Sequence, residues 1–276
     1  MSTPPAQESF DIEEWKADVE VTPGGGLLRS PTNQPIAARV SGPGAAIGIK
    51  KEQAMVTIST NGPIWTLDLG GDENRFSLAW LDSMDAALDE LEASSEPAVL
   101  VTTATGKFYS NGLDLDWVSQ FPDKLEPYAA RVELLFARML TLAVPTVAAI
   151  NGHAFGAGAM FAMAHDWRVM REDRGFICFP EADINIPFTP GMSALVACKL
   201  TPRAAVDAMT TARRFGAGDA VAAGLIDATT PIDELLDVAI GFVEHLAGKD
   251  RNTLGTIKSR LFADTVAALR APSADG

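Results

Sequence analysis

Two strand-like segments that each break at glycine and feed a helix constrain this chain more than any other feature. One is Pro145-Thr-Val-Ala-Ala-Ile-Asn-Gly-His-Ala-Phe-Gly-Ala-Gly-Ala-Met160, and the other is Lys107-Phe-Tyr-Ser-Asn-Gly-Leu-Asp-Leu115. A strand that is apolar at every position is buried on both faces, as in a parallel sheet covered by helices. Glycine at its exit lets the chain turn where a side chain would forbid it. Such a break turns backbone N–H groups toward an anion, and two breaks close in space would make a hole for a negatively charged oxygen.

The rest of the chain is organised around these units. Val56 to Leu69 alternates apolar and polar residues on both sides of Asn61-Gly62-Pro63 and predicts a hairpin. Leu78, Leu81, Met84, Leu88 and Leu91 share one helical face behind Ser77, which predicts a helix over 78–93. Ala98 to Thr102 and Thr146 to Ile150 predict buried strands, with a helix over 126–142 between them that ends at Val144-Pro145. A helix over 157–164 follows, then strands at 167–170 and 175–179. Helices are expected at 192–199, 202–211, 217–224, 232–246 and 252–269. Alternation of strand and helix, followed by helices, indicates an α/β fold.

Residues 1–54 carry Pro-Pro, Gly24-Gly25-Gly26 and Ser41-Gly-Pro-Gly44 without a sustained period, so a poorly ordered arm is expected there, with Met55 an alternative start. No run reaches the length of a membrane span and no secretory pattern opens the chain, which points to a soluble cytoplasmic protein with no membrane partner. A formal charge of −14 argues against nucleic acid. The two cysteines, Cys178 and Cys198, lack metal-ligand spacing; buried thiols and no metal are expected.

Three segments in order, Phe108-Tyr-Ser-Asn-Gly-Leu-Asp-Leu115, Asn151-Gly-His-Ala-Phe-Gly-Ala-Gly158 and Phe179-Pro-Glu-Ala-Asp-Ile-Asn-Ile186, resemble the crotonase (enoyl-CoA hydratase/isomerase) superfamily. Ala217 to Asp227 resembles that family's turn ahead of the C-terminal helices. The resemblance implies a crotonase-like ββα spiral over residues 55–200 and a C-terminal helical trimerisation region over 201–276, in a homotrimer or hexamer. It implies an acyl-CoA thioester substrate, with coenzyme A part of the substrate and no tightly bound cofactor.

Residue by residue, the resemblance puts the two oxyanion donors at the amides of Leu113 and Ala157, and the catalytic acid at Glu181. The second glutamate of the hydratases falls on Met160. Hydration needs two acid–base groups, whereas moving a double bond needs one. The resemblance therefore lies closer to Δ3,Δ2-enoyl-CoA isomerases, and Ser110-Asn-Gly-Leu-Asp-Leu-Asp-Trp117, His153 and His165-Asp166 resemble those of the plant peroxisomal type. Apolar neighbours Phe176, Phe179, Phe188 and Met160 are expected to raise the pKa of Glu181. A hydratase using Asp183 or Asp114, or a non-catalytic acyl-CoA-binding subunit, remains an alternative.

For coenzyme A the resemblance implies adenine contacts near Asn111 and Leu113 and pantetheine contacts near Arg75, Phe76 and Gly112. Arg75 is open to a phosphate or a surface acid, and Lys258 and Arg260 are alternative phosphate partners or solvated side chains. His153 is open to a role at the acyl chain or to packing, while His165 reads as structural. Phe121, Phe136, Met139, Met160, Phe161, Phe188 and Met192 are open to lining an acyl pocket or to plain core.

Overall fold

The computed structural model describes residues 56–271. The arm expected over residues 1–54 lies outside them. Strands β1 (Thr57–Asn61) and β2 (Ile64–Asp68) form the hairpin, closing across Gly62-Pro63 with Asn61 opposite Ile64. Helix α1 (Leu78–Ala93) starts where Ser77 accepts a hydrogen bond from the Trp80 N–H, and its buried face is Trp80, Leu81, Met84, Ala87, Leu88 and Leu91. A cap of this kind is worth about 1 kcal/mol, and burying each leucine or methionine of the face about 1.5–3 kcal/mol.

Three ββα units follow. The first is β3 (Val99–Thr103), β4 (Phe108–Ser110) and the helices α2 (Leu115–Gln120) and α3 (Leu125–Thr141). The second is β5 (Thr146–Ile150), β6 (His153–Phe155) and α4 (Ala157–Met163). The third is β7 (Trp167–Arg171), β8 (Ile177–Cys178) and α5 (Glu181–Ile184). In each unit the first strand joins a large sheet and the second a small one.

The rest of the chain is α6 (Pro190–Lys199), α7 (Pro202–Thr210), α8 (Ala217–Ala222), β9 (Ala228–Thr230), α9 (Leu235–Val243), α10 (Arg251–Leu261) and α11 (Ala263–Arg270). The helix expected over 252–269 is thus two helices meeting at Phe262, and β9 adds a strand between the helices expected at 217–224 and 232–246.

The large sheet has the order β1-β2-β3-β5-β7-β9, parallel except for the hairpin, and the small sheet β4-β6-β8 is wholly parallel. Strand periodicity sorts the large sheet's side chains. Leu100, Ala148, Ile150 and Met170 join the main core, whereas Val99, Val101, Val147, Ala149 and Val169 pack on Leu235, Ala239 and Val243 of α9. This two-sided burial is the physical content of the apolar runs.

Buried ion pairing ties the later helices to the spiral. The Lys258 ammonium on α10 donates to the Val144 carbonyl at 2.7 Å and to Asp166 at 2.5 Å. Asp166 also accepts from the Thr146 N–H at 2.9 Å. The Lys199 ammonium donates to the His165 carbonyl at 2.8 Å. His165 itself is wholly buried, with Nδ1 donating to the Phe161 carbonyl and Nε2 receiving the Thr102 hydroxyl; desolvation lowers its pKa to about 3. Cys178 is buried, but Cys198 is exposed, which corrects the expectation of two buried thiols. No helix among the described residues is long and apolar enough to cross a membrane.

Candidate active site

The small sheet carries the site. Strands β4, β6 and β8 run parallel, so their C-terminal ends, which lead to Gly112, Gly156 and Glu181, lie side by side. Gly112 has φ +79° and Gly156 has φ +51°, conformations that L side chains rarely adopt. A Cβ placed on Gly112 would stand 2.7 Å from the Phe155 carbonyl oxygen, 2.9 Å from the Ala157 amide nitrogen and 3.0 Å from that of Gly158. The two breaks therefore touch, and only glycine at 112 permits it.

Leu113 follows the first break and Ala157 opens α4 after the second. Neither amide donates a hydrogen bond to another group among the described residues. For Ala157 this follows from its place, since the first N–H groups of a helix have no partner within it.

Glu181 begins α5 and is buried, 9% exposed. Its Oε1 would lie 3.4 Å from a Cβ at Gly156, so the carboxyl group faces the second break. Its Oε2 is enclosed without a hydrogen-bond partner among the described residues. Desolvation lifts its pKa from 4.5 to about 7, against the opposing hydrogen bond from its own backbone N–H. A carboxyl group poised near neutrality, with an unused oxygen, can accept and return a proton. Of the aromatic residues expected around it, Phe179 is wholly buried, whereas Phe176 packs tilted against His153 at 5.6 Å between centroids and is 36% exposed. Met160 is buried in the core.

Other expected residues take different places. The Arg75 guanidinium pairs with Glu73 and, at 2.6 Å, with Asp116, which is the surface-acid alternative. Phe76, expected near pantetheine, is wholly buried and stacks on Trp80 at a centroid distance of 4.5 Å, so its ring belongs to the core. Asn111 is buried, and its Oδ1 has no partner among the described residues. Lys258 is neither solvated nor free for a phosphate, because burial and Asp166 hold its ammonium inside.

His153 packs among Phe108, Phe155 and Phe176. The Ser110 hydroxyl donates to the Asn74 carbonyl at 2.8 Å. Asp114 caps α2, accepting from the Trp117 N–H at 3.1 Å, and Asp183 is exposed. Phe136, Met139, Met160 and Phe161 are plain core, while Phe121 is 45% exposed.

Two residues escaped the sequence reading. Asn74, at φ +51°, sends its Nδ2 to the carbonyls of Gly70, Phe108 and Tyr109 and so holds β4 in place. Asparagine ahead of a helix cap is the signal that was available for it. Tyr128 on α3 is buried, and nothing in helical periodicity distinguishes its hydroxyl.

Comparison with known proteins bears on the family and the fold. Residues 65–274 match the family model described as enoyl-CoA hydratase/isomerase. The chain is 32% identical to "Enoyl-CoA delta isomerase 3" of Arabidopsis thaliana, over 76% of this chain and 93% of that protein. It is also 32% identical to "Putative enoyl-CoA hydratase" of Thermus thermophilus, over 66% of this chain and 72% of that protein. Among solved structures, a Mycobacterium tuberculosis protein described as an enoyl-CoA isomerase in one structure and a probable enoyl-CoA hydratase in another superposes with a TM-score of 0.74. Identity is 25% in both cases, covering 79% of this chain and 96% and 92% of those chains.

Proposed function

The chain belongs to the enoyl-CoA hydratase/isomerase family, and within that family we propose that it moves the double bond of a 3-enoyl-CoA to the 2 position. The thioester oxygen accepts hydrogen bonds from the Leu113 and Ala157 amides. The Glu181 carboxylate removes a proton from C2, and the C–H electron pair becomes the C1–C2 double bond of a dienolate whose charge rests on that oxygen. The Glu181 acid then returns the proton to C4 as the C3–C4 electrons form the new bond to hydrogen. A C2–C3 double bond results, the carbonyl reforms and the carboxylate is restored. Losing one donor of such a hole costs roughly 10²–10³ in kcat.

The observation that carries this reading is the buried, half-unpartnered carboxyl of Glu181 facing Gly156, with a pKa near 7. Hydration would ask for a second acid–base group, and the position that supplies it in the resemblance is Met160. Asp114 is occupied as a cap and Asp183 faces solvent.

The test is a spectrophotometric assay of 3-enoyl-CoA and 2-enoyl-CoA in parallel. Conversion of the first without hydration of the second is expected, and Glu181→Gln should abolish it. Faster hydration than isomerisation, or full isomerase turnover by the glutamine variant, would overturn the assignment. A homotrimer or hexamer belongs to the same proposal.

A further inference from the structure

Four consecutive amides at the first break have different fates. The Asn111 N–H donates to the Glu73 carbonyl at 2.8 Å, the Gly112 N–H to the Ser110 hydroxyl at 3.1 Å and the Asp114 N–H to the Tyr128 hydroxyl at 2.8 Å. Leu113 alone donates to no group among the described residues. The open amide is thus flanked on both sides by pinned ones.

Peptide geometry decides where it points. In a trans peptide the N–H and C=O lie in one plane and face opposite ways. The Leu113 N–H shares its plane with the Gly112 carbonyl, which accepts from the Phe76 N–H at 2.8 Å. Holding that carbonyl on Phe76 turns the Leu113 N–H to the other side. The Phe76 carbonyl, in turn, accepts from the Tyr128 hydroxyl at 2.9 Å. One hydroxyl therefore fixes the plane after Leu113 directly, and steadies the residue that fixes the plane before it.

The phenol is itself held rigidly. Its ring is 3% exposed and packs on Trp117 at 5.4 Å between centroids. Burial pushes its pKa up to about 12, so near pH 7 the hydroxyl keeps the proton it gives to Phe76.

We propose that Tyr128 is a positioning residue for the oxyanion hole, its hydroxyl bridging the Asp114 N–H and the Phe76 C=O so that the Leu113 N–H has a single direction. This rests on the reading of Leu113 as a donor to the thioester. An amide stabilises a developing charge only if it is oriented before the charge appears, and Tyr128 supplies that orientation from a different element.

The test compares the wild type, Tyr128→Phe and Tyr109→Phe. The second variant loses an equivalent buried hydroxyl, bonded to Thr102. Each is titrated with a 2,4-dienoyl-CoA, whose absorbance moves to longer wavelength when its carbonyl is polarised, and each is assayed for isomerisation. The wild type and Tyr109→Phe should show the red shift. Tyr128→Phe should lose most of it, with kcat down by about tenfold to a hundredfold, less than outright removal of a donor. KM should change little.

Tyr109 and Tyr128 are the only tyrosines in the chain, so fluorotyrosine in the Tyr109→Phe background labels position 128 alone. Its fluorine resonance should move on acyl-CoA binding, a measurement that does not depend on Tyr128→Phe folding. A full red shift with unchanged kcat in Tyr128→Phe, or a fluorine resonance indifferent to ligand, would overturn the proposal while leaving the hole intact. Absence of a red shift in the wild type would instead bring down the donor reading, and this proposal with it.

Discussion

Glu181→Gln should make the protein more stable as the pH rises, and the size of the gain follows from burial. In the unfolded chain this carboxyl ionises near its ordinary value of 4.5, whereas the native fold holds its proton to about 7. Between those values the native state binds more protons than the unfolded state, so stability falls with increasing pH. The full rise, at about 1.36 kcal/mol per pH unit, amounts to roughly 3 kcal/mol of destabilisation above pH 7. Glutamine has nearly the same shape and cannot ionise.

Denaturant unfolding of wild type and variant at pH 5 and pH 8.5 isolates the effect. The constant cost of placing an amide beside Pro180 and Gly156 cancels in the difference between the two pH values. The variant's relative stability should increase by about 2.5 kcal/mol from the lower to the higher pH, while its isomerase activity is lost. In the wild type kcat/KM should rise with pH to a plateau above about 7, because the base acts as carboxylate. A stability difference that stays flat with pH would show that Glu181 ionises as an ordinary surface glutamate. The reasoning from desolvation would then fail.

Gly156→Ala should lose at least about 1 kcal/mol of stability from strain at φ +51°, since the added methyl group itself stands at an ordinary contact distance of 3.4 Å from Oε1 of Glu181; a thermal melt at the wild-type value would refute the strain. Lys258→Met should destabilise by about 3–5 kcal/mol through the stranded Asp166 carboxylate. Substrate KM should be unaffected, and a raised KM with intact stability would return Lys258 to a phosphate-binding role.

Much of this protein was legible as a string of residues, because the features concerned are local. The apolar runs at Thr146–Ile150 and Val99–Thr103 announce strands buried on both faces, and alternation around Gly62-Pro63 announces a hairpin. Strands as short as Phe108–Ser110, His153–Phe155 and Ala228–Thr230 span too few residues to show a period, and nothing in the residues around Phe262 interrupts the helical pattern there.

The glycine breaks and the ordered motif containing Glu181 could likewise be read without coordinates, since backbone torsion demands and sequence order do not depend on distant contacts. Tertiary structure alone decided that Gly112 and Ala157 touch, that Glu181 is left desolvated with an unused oxygen, and that the Lys258 charge is buried while Arg75 joins surface acids. It also brought the hydroxyl of Tyr128 to a loop it never neighbours in sequence. Desolvation and hydrogen bonding between remote segments are through-space quantities, and they exist only once the small sheet sets its three strand ends side by side.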